Sequence, residues 1–162
     1  MRKNFIERIR TVAVLLALVL GFLRASADNP TTMFILGNVN QYTSTDWNPL
    51  KGVAMDYDSE TEKFTATVYC QSAINYFAFA TELNDWDSLN NGNKRYGSEN
   101  GAWDAHEDLT DDFDSPVNIK QGSQSSFYLP AGVYAITLDV PNLKLTVSKR
   151  PCKSPLTPLM RV

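Results

Sequence analysis

The sequence predicts an all-β fold, an antiparallel immunoglobulin-like β-sandwich of about seven to eight strands. Short runs of alternating apolar and polar residues recur from Thr32 to Ser148, separated by Gly, Pro, Asn and Asp. No segment of useful length in that range has the apolar period of a helix, and the range contains no internal repeat. Short strands with turns between them are typical of a sandwich.

The first 27 residues have the pattern of a secretory signal peptide. A basic head, an apolar run and a small-residue cleavage site follow one another: Arg2, Lys3, Arg8 and Arg10, then Val12 to Phe22, then Ala25-Ser26-Ala27. The apolar run is shorter than the roughly 20 residues that span a bilayer. We therefore predict a secreted protein of the periplasm, the cell surface or the extracellular medium.

Removal of residues 1-27 from the 162 leaves 135, which is enough for one domain with its own core. We predict that residues 28-149 form this domain. Residues 150-162 contain three prolines and no periodic pattern, so we predict a flexible tail there.

The charge of the mature chain argues against polyanionic partners. The signal peptide holds five of the 15 basic residues and one of the 18 acidic ones, so 10 basic and 17 acidic residues remain, a net charge of −7. Nucleic acids and anionic membranes require clustered Lys and Arg. We therefore expect neither as a partner.

The two cysteines, Cys70 and Cys152, leave two alternatives open. A disulfide between them would join the tail to the domain in an oxidising compartment, and its long loop would stabilise the fold by roughly 4 to 5 kcal/mol. Alternatively, both are unpaired thiols and Cys70 packs at the end of a strand. Neither cysteine has the spacing of a metal ligand, and we predict no cofactor and no metal.

The first strands can be assigned in order. Met33 to Gly37 is a short apolar run closed by glycine. The run Val53 to Asp58 alternates apolar and polar residues up to a polar turn. Phe64 to Tyr69 alternates Phe64, Ala66 and Val68 with Thr65, Thr67 and Tyr69, so one face should be buried and a Thr-rich face exposed.

The run Asn75 to Thr81 is the central strand of the prediction. Phe77 and Phe79 alternate with alanines, which is typical of a strand buried on at least one face, and we expect both rings in the core. From Glu82 to about Ser115 no period is present. A loop of that length in a compact domain usually binds something or is disordered.

The last third of the domain is predicted as two consecutive hairpins. Ser126 to Leu129 is expected to pair with Val133 to Val140 across Pro130-Ala131-Gly132. Asn142 to Ser148 is then expected to return along Val133 to Val140.

Several of these segments resemble the starch-binding domains in the outer-membrane starch-utilisation proteins of Bacteroidetes. The similar segments are Trp47-Asn48-Pro49, Gly52 to Met55, Phe64 to Val68, Ala131 to Leu138 and Asn142 to Val147. The resemblance extends from Thr32 to about Ser148. It implies a sandwich that binds starch without cleaving it.

A more distant resemblance is to the starch-binding carbohydrate-binding modules attached to amylases. In those modules a Trp-acid-Ser stretch followed by Asn, Arg and Tyr forms part of the sugar site. Here Trp86-Asp87-Ser88 and Asn93-Lys94-Arg95-Tyr96 lie in matching places. Their order along the chain, more than either short motif, supports the likeness.

The candidate site follows from the chemistry of sugars. One face of a pyranose presents C–H groups that a flat ring covers, while amides and charged donors bind the hydroxyls. We predict that Trp86 and Tyr96 stack on a glucan-like chain and that Arg95 or Asn93 binds its hydroxyls. Trp47 is the third candidate ring.

Three of these residues also have a purely structural interpretation. Trp47, just before Asn48-Pro49, can pack under its loop, which is the commoner outcome for such a tryptophan. Tyr96 can be a strand residue packed against the sheet. Arg95 can pair with a carboxylate, which on a surface contributes little to stability.

The acidic stretch Glu99 to Asp114 has two interpretations. Calcium favours several oxygen ligands from such loops, but the spacing does not match the EF-hand, so a solvated loop is the default. The single histidine, His106, lies in this stretch without a nucleophile partner in the sequence. We therefore predict no enzymatic activity.

We conclude from the sequence that the chain is a secreted non-catalytic carbohydrate-binding module for a starch-like glucan. The alternative is a structural or protein-interaction β-sandwich module of the cell envelope. The expected partner is a polysaccharide or oligosaccharide, with the protein a monomer. Association with other cell-envelope polysaccharide-utilisation proteins is left open, as is surface anchoring.

Overall fold

The computed structural model describes residues 29–39 and 47–151. The predicted signal peptide, Cys152 and the predicted tail beyond Pro151 lie outside these residues. No helix in the described segments is long and apolar enough to cross a membrane.

The described residues form twelve strands and one short helix. In chain order they are β1 (Phe34–Gly37), β2 (Val53–Ala54), β3 (Asp56–Asp58), β4 (Lys63–Cys70), β5 (Asn75–Ala80), α1 (Trp86–Asn91), β6 (Arg95–Gly97), β7 (His106–Asp108), β8 (Pro116–Asn118), β9 (Lys120–Gln121), β10 (Ser126–Leu129), β11 (Gly132–Asp139) and β12 (Lys144–Arg150).

These strands form two sheets, which confirms the predicted all-β sandwich. Sheet A has the order β2-β1-β5-β10-β7, with β6 beside β5 and β9 beside β6. Sheet B has the order β3-β4-β11-β12-β8. All pairings are antiparallel except that of β7 with β10, which is parallel. Several strands have only two or three residues, so their number exceeds the predicted seven to eight.

The core lies between the two sheets. As predicted, Phe77 and Phe79 of β5 are fully buried, and their rings meet edge to face with centroids 5.6 Å apart. Phe127 of β10 packs against Phe77 at 5.5 Å. On β4 the predicted alternation is also confirmed, because Phe64 and Val68 are buried while the threonines face solvent. The aromatic cluster therefore fixes which face of β5 and β10 points into the core and which face points outward.

The first of the two predicted hairpins is wrong. β10 does not pair with β11; it joins sheet A, where Phe127 lies opposite Phe77, while β11 pairs with β4 and β12 in sheet B. The turn residues between β10 and β11 carry the chain from one sheet to the other. Packing of Phe127 in the aromatic core holds β10 in sheet A. The second hairpin, β11 with β12, is present.

Two further regions differ from the prediction. The run Val53 to Asp58 is not one strand: β2 pairs with β1 in sheet A and β3 with β4 in sheet B. Met55 lies between them and its N–H donates to Met33 O at 2.9 Å. The region predicted as irregular, Glu82 to Ser115, contains α1, β6 and β7. Polar side chains in this region form local hydrogen bonds to the backbone, so these short elements show no apolar period in the sequence.

Cys70 is a free, buried thiol at the end of β4. Its Sγ lies 3.9 Å from Val39 O, and burial raises the pKa of the thiol to about 12. This position matches the predicted packing of Cys70 at a strand end.

Candidate functional site

The short helix α1 shapes the outer face of sheet A. Leu89 is buried against Leu36 and Ala80, which point outward from β1 and β5. Asp85 caps the helix, since its Oδ1 accepts from Ser88 N at 2.8 Å and its Oδ2 from Ser88 Oγ at 2.8 Å. These hydrogen bonds lower the pKa of the Asp85 carboxyl. The cap and the Leu89 anchor together hold Trp86 at the start of the helix.

A cleft of about 620 Å³ lies beside this helix on the outer face of sheet A. All three tryptophans of the chain, Trp47, Trp86 and Trp103, line it. Tyr76 of β5 and Arg95 of β6 contribute from the sheet. Three separate parts of the sequence therefore place indole rings on one concave surface.

The three indoles differ in exposure and orientation. Trp47 and Trp86 are partly buried, with ring centroids 6.2 Å apart and planes at 44°. Trp47 has a backbone φ of 59°, a left-handed conformation that costs a residue of this size energy. Trp103 is 79% exposed, more than any other large apolar side chain in residues 29–39 and 47–151. A bulky ring left in water at a cleft is typical of a binding surface.

Arg95 forms the charged part of the wall. Its side chain is only 6% exposed, and its guanidinium carbon lies 4.8 Å from the Trp86 ring centroid, a cation–π geometry. Nη1 donates to Asn90 Oδ1 at 3.2 Å and Nη2 to Gln124 O at 3.1 Å, whereas Nε has no partner. Burial lowers the pKa of Arg95. Arg95 thus ties helix α1 to the loop before β10.

No carboxylate among the described residues neutralises Arg95. The ion pairs within these residues are Lys63–Asp139, at 3.2 Å, and Lys94–Glu82, at 3.8 Å. The sequence interpretation in which Arg95 pairs with an acidic neighbour is therefore not what the described residues show. Its donors are directed to neutral oxygens instead.

The opposite side of the cleft is formed by β7 and β10. Their parallel pairing places His106 beside Ser126, and both residues line the cleft. The His106 ring lies 5.0 Å from Tyr76 and 6.5 Å from Tyr128, which form a second aromatic group at this rim. Asp104, just before His106, is the acidic residue that lines the cleft.

The structure brings together three of the five residues predicted from the sequence. Trp47, Trp86 and Arg95 line the same cleft, whereas Asn93 and Tyr96 do not. Residues 95 and 96 are neighbours on β6, so their side chains point to opposite faces of the sheet.

The burial of Tyr96 corrects its predicted role. Its side chain is 3% exposed and packs in the core opposite Phe79, so its ring has no face free for a sugar. Asn93 follows the helix with φ 52°, a left-handed conformation that asparagine tolerates better than most residues. The left-handed backbone therefore explains why an asparagine occupies position 93.

Sequence reasoning missed Tyr76, Trp103 and His106 as residues of the cleft. Tyr76 could have been found, because it alternates with Phe77 and must therefore point outward from β5. Trp103 and His106 lie in the acidic stretch, where nothing in the sequence indicates that β7 pairs with β10. The cleft is thus assembled by a long-range pairing that periodicity does not reveal.

The acidic stretch presents no metal centre within the part of the chain that the structure describes. No group of three or more His, Cys, Asp or Glu side chains there could hold an ion. Asp108 is instead engaged locally, since its Oδ1 accepts from Thr110 N at 2.9 Å.

Comparison with known proteins supports the fold. The chain is similar to SusF from Bacteroides thetaiotaomicron in its crystal structure, with a TM-score of 0.52 and 18% sequence identity. The match covers 75% of this chain and 24% of that chain, so this chain corresponds to about a quarter of the larger molecule. At this identity the likeness concerns the fold alone. No protein-family model matches the sequence, and no curated protein matches it.

Proposed function

We propose that the protein is a non-catalytic carbohydrate-binding domain whose tryptophan-lined cleft binds a starch-like glucan. The observation that carries this proposal is the convergence of all three tryptophans of the chain on one cleft. The five aromatic and one cationic side chains of this site are Trp47, Trp86, Trp103, Tyr76, His106 and Arg95.

The cleft offers both kinds of group that a sugar requires. Indole rings cover the apolar C–H face of a pyranose, and their burial by the ligand removes apolar surface from water. Polar groups at the same surface, from Asn90, Gln124 and Ser126, are placed to bind hydroxyls. Trp103 gains most from such a contact, because most of its ring is exposed in the free protein.

The angle between two of the rings favours an α-linked glucan. Trp47 and Trp86 are inclined at 44° with ring centroids 6.2 Å apart, and we propose that a glucan meets them as a bent platform. Successive rings of an α-1,4-glucan turn relative to one another along a curved chain, whereas those of a β-1,4-glucan form a flat ribbon. A bent platform therefore fits the curved chain better.

Two related likenesses are consistent with the same ligand class. The sequence resembles the starch-binding domains of the starch-utilisation proteins of Bacteroidetes, and the fold is similar to part of SusF. By the same analogy we propose a secreted protein of the cell envelope, with residues 1-27 removed.

The lining of the cleft supports binding over catalysis. Glycoside hydrolysis uses two carboxyl groups about 5 to 10 Å apart. Among the described residues that line the cleft, Asp104 is the one carboxylate. A second acid would have to come from elsewhere, so we propose a binding role.

Tryptophan fluorescence of the mature protein tests this proposal directly, because each tryptophan lies at the cleft. We expect a saturable change with maltoheptaose and a weaker one with cellohexaose. Trp86→Ala should lower the affinity for maltoheptaose at least about tenfold, since it removes a stacking ring. Tyr69→Ala, which alters an exposed ring on sheet B, is the matched control and should bind normally.

Two results would contradict the proposal. The first is a flat response to every glucan from a correctly folded protein, which would favour the protein-interaction alternative. The second is unchanged affinity after Trp86→Ala, which would place binding elsewhere.

A further inference from the structure

A second cleft is lined by the residues of the Asn93 to Tyr96 motif other than Arg95. It has a volume of about 510 Å³. Asn93, Lys94 and Tyr96 line it, together with Thr81 and Gln121. None of these residues lines the tryptophan cleft. Strand alternation on β6 separates Tyr96 from Arg95.

Two hydroxyl groups at this second cleft lack hydrogen-bond partners. The Tyr96 ring is enclosed in the core, but its hydroxyl forms no hydrogen bond within residues 29–39 and 47–151 and reaches the cleft. Thr81 Oγ1, which also has no partner among the described residues, is fully enclosed in the wall and out of reach of a ligand. The Tyr96 hydroxyl is not among the buried atoms, so it is open to the cleft and is the hydroxyl to which a ligand there can bond.

The charges of the second cleft indicate a neutral ligand. Lys94 Nζ lies 3.8 Å from Glu82 Oε2, so the cation and the carboxylate that line the cleft offset one another. Both side chains are partly exposed and remain close enough to the cleft to donate and accept hydrogen bonds. A ligand with a full charge would disturb this pair.

The residues that line the second cleft exclude ring stacking on a ligand. The one aromatic residue in its lining is Tyr96, whose ring faces are buried. A ligand must therefore be held through its edge, by hydrogen bonds to the Tyr96 hydroxyl, the amides of Asn93 and Gln121, and the Lys94–Glu82 pair. Gln121 Nε2 already donates to Asn93 O at 3.1 Å, which fixes the Gln121 amide at the wall.

We propose that this second cleft is a separate binding site for a neutral, hydroxyl-rich ligand, namely a single sugar unit or a polyol of similar size. It differs from the tryptophan cleft in its chemistry, because it binds through hydrogen bonds rather than ring stacking. It requires neither Trp86 nor Trp103, so it stands whether or not the tryptophan cleft binds a glucan.

Nuclear magnetic resonance of the mature protein tests the second site with methyl α-glucoside as the probe. In a Trp86→Ala protein, where we expect weaker binding at the tryptophan cleft, we expect saturable shifts of the Lys94, Tyr96 and Gln121 amides. Tyr96→Phe in the same background should weaken this binding about fivefold, the effect of one neutral hydrogen bond. Tyr128→Phe, whose hydroxyl bonds to Ala73 O at 3.4 Å away from the cleft, is the matched control.

The result separates this proposal from the proposed function. Shifts confined to Ala105 and His106 in the wild-type protein would overturn the second site and leave the tryptophan cleft intact. Shifts at Lys94 and Gln121 that Tyr96→Phe leaves unchanged would also overturn it. Gln121→Ala, which removes an exposed amide of the cleft, provides a second variant with the same expectation, in case Tyr96→Phe does not fold.

Discussion

Arg95 shows how one residue can serve both the fold and the proposed ligand site. Its guanidinium joins Asn90 of helix α1 to the backbone of Gln124, and it covers one face of Trp86. A buried cation without a carboxylate partner loses hydration, and here neutral oxygens and an indole compensate. Arg95 therefore sets which face of Trp86 a ligand can reach. Lysine could not form the same two hydrogen bonds from one planar group.

Two neighbouring carboxyls on β7 have pKa values shifted in opposite directions. Burial raises the pKa of Glu107, and the negative charges of Asp112 and Glu99 raise it further. Hydrogen bonds from the Thr110 hydroxyl and N–H lower the pKa of Asp108. The cause is strand alternation, which turns one side chain inward and the other toward solvent.

These shifts predict opposite effects of pH on two variants. Glu107 binds a proton more tightly when folded, so the wild type loses stability as pH rises above the ordinary pKa of 4.5, and Glu107→Gln avoids that loss. Asp108 contributes stability above its ordinary pKa of 3.8 that disappears as pH falls through the lowered value, so Asp108→Asn forfeits it. Urea unfolding at about pH 7 and about pH 3 measures both differences.

The free energy of unfolding of Glu107→Gln, relative to that of the wild type, should therefore be higher at neutral pH than in acid. That of Asp108→Asn should be lower at neutral pH than in acid. Each variant serves as the control for the other. Differences that do not change with pH, or that change in the same direction, would contradict the assignment.

At the scale of elements, long strands could be predicted from the sequence and short ones could not. β4, β5, β11 and β12 have alternating side chains over six or more residues, and each was found close to its observed position. Helix α1 has six residues and one buried side chain, Leu89, so it shows no helical period. Its cap, Asp85 with Ser88, would have been a better indication than hydrophobicity, but the sequence prediction did not include it.

The motif Asn93 to Tyr96 illustrates the same limit for the site. The sequence resemblance assigned its residues to one sugar site, but Arg95 lines one cleft and Asn93, Lys94 and Tyr96 line another. Alternation could have predicted the separation of Arg95 from Tyr96 once both were known to lie in a strand, but not the position of Asn93, which precedes β6. That knowledge depended on the pairing of β6 with β5, which is a tertiary contact.

The end of β1 provides a test of how tightly two elements must approach. Gly37 has φ 126°, and a Cβ there would lie 2.1 Å from Tyr76 O on β5. Gly37→Ala should therefore destabilise the fold by roughly 2 to 4 kcal/mol and displace Tyr76 from the cleft. Gly101→Ala is the matched control, because Gly101 has φ 82° but its added Cβ would meet nothing closer than Lys120 Nζ at 3.5 Å.

The control should lose only about 1 kcal/mol, the cost of a left-handed alanine. Thermal and urea unfolding of the two variants measure the difference. Equal losses would show that backbone conformation, rather than the approach of β1 to β5, makes Gly37 necessary.

At the scale of the molecule, the all-β sandwich could be predicted from the composition and the alternation of apolar residues. The pairing of its strands and the paths of the chain between the sheets could not. The sequence could not reveal that β10 leaves β11 for the opposite sheet, because both strands have the same alternation and a plausible turn between them. The aromatic core decides the outcome, since Phe127 packs against Phe77 and Phe79. The rim of the cleft at His106 exists only because β10 is in sheet A.

The charge of the whole molecule gives the last prediction. The full sequence has a net charge of −3, the chain without residues 1-27, whose removal we propose, has −7, and the proposed ligands are neutral. Salt screens interactions between charges but hardly affects stacking on a neutral ring. The affinity for maltoheptaose should therefore change less than about twofold between about 0.05 and about 0.5 M NaCl. Fluorescence titration at several salt concentrations measures this.

An acidic polysaccharide is the appropriate comparison, because the negative field of the protein repels it. Any binding of polygalacturonate should be weak and should strengthen as salt increases. A strong decrease in its binding with salt would instead mean that the unpaired charge of Arg95 attracts the ligand. In that case the cleft would select an acidic glycan, and the starch-like assignment would be wrong while carbohydrate binding would stand.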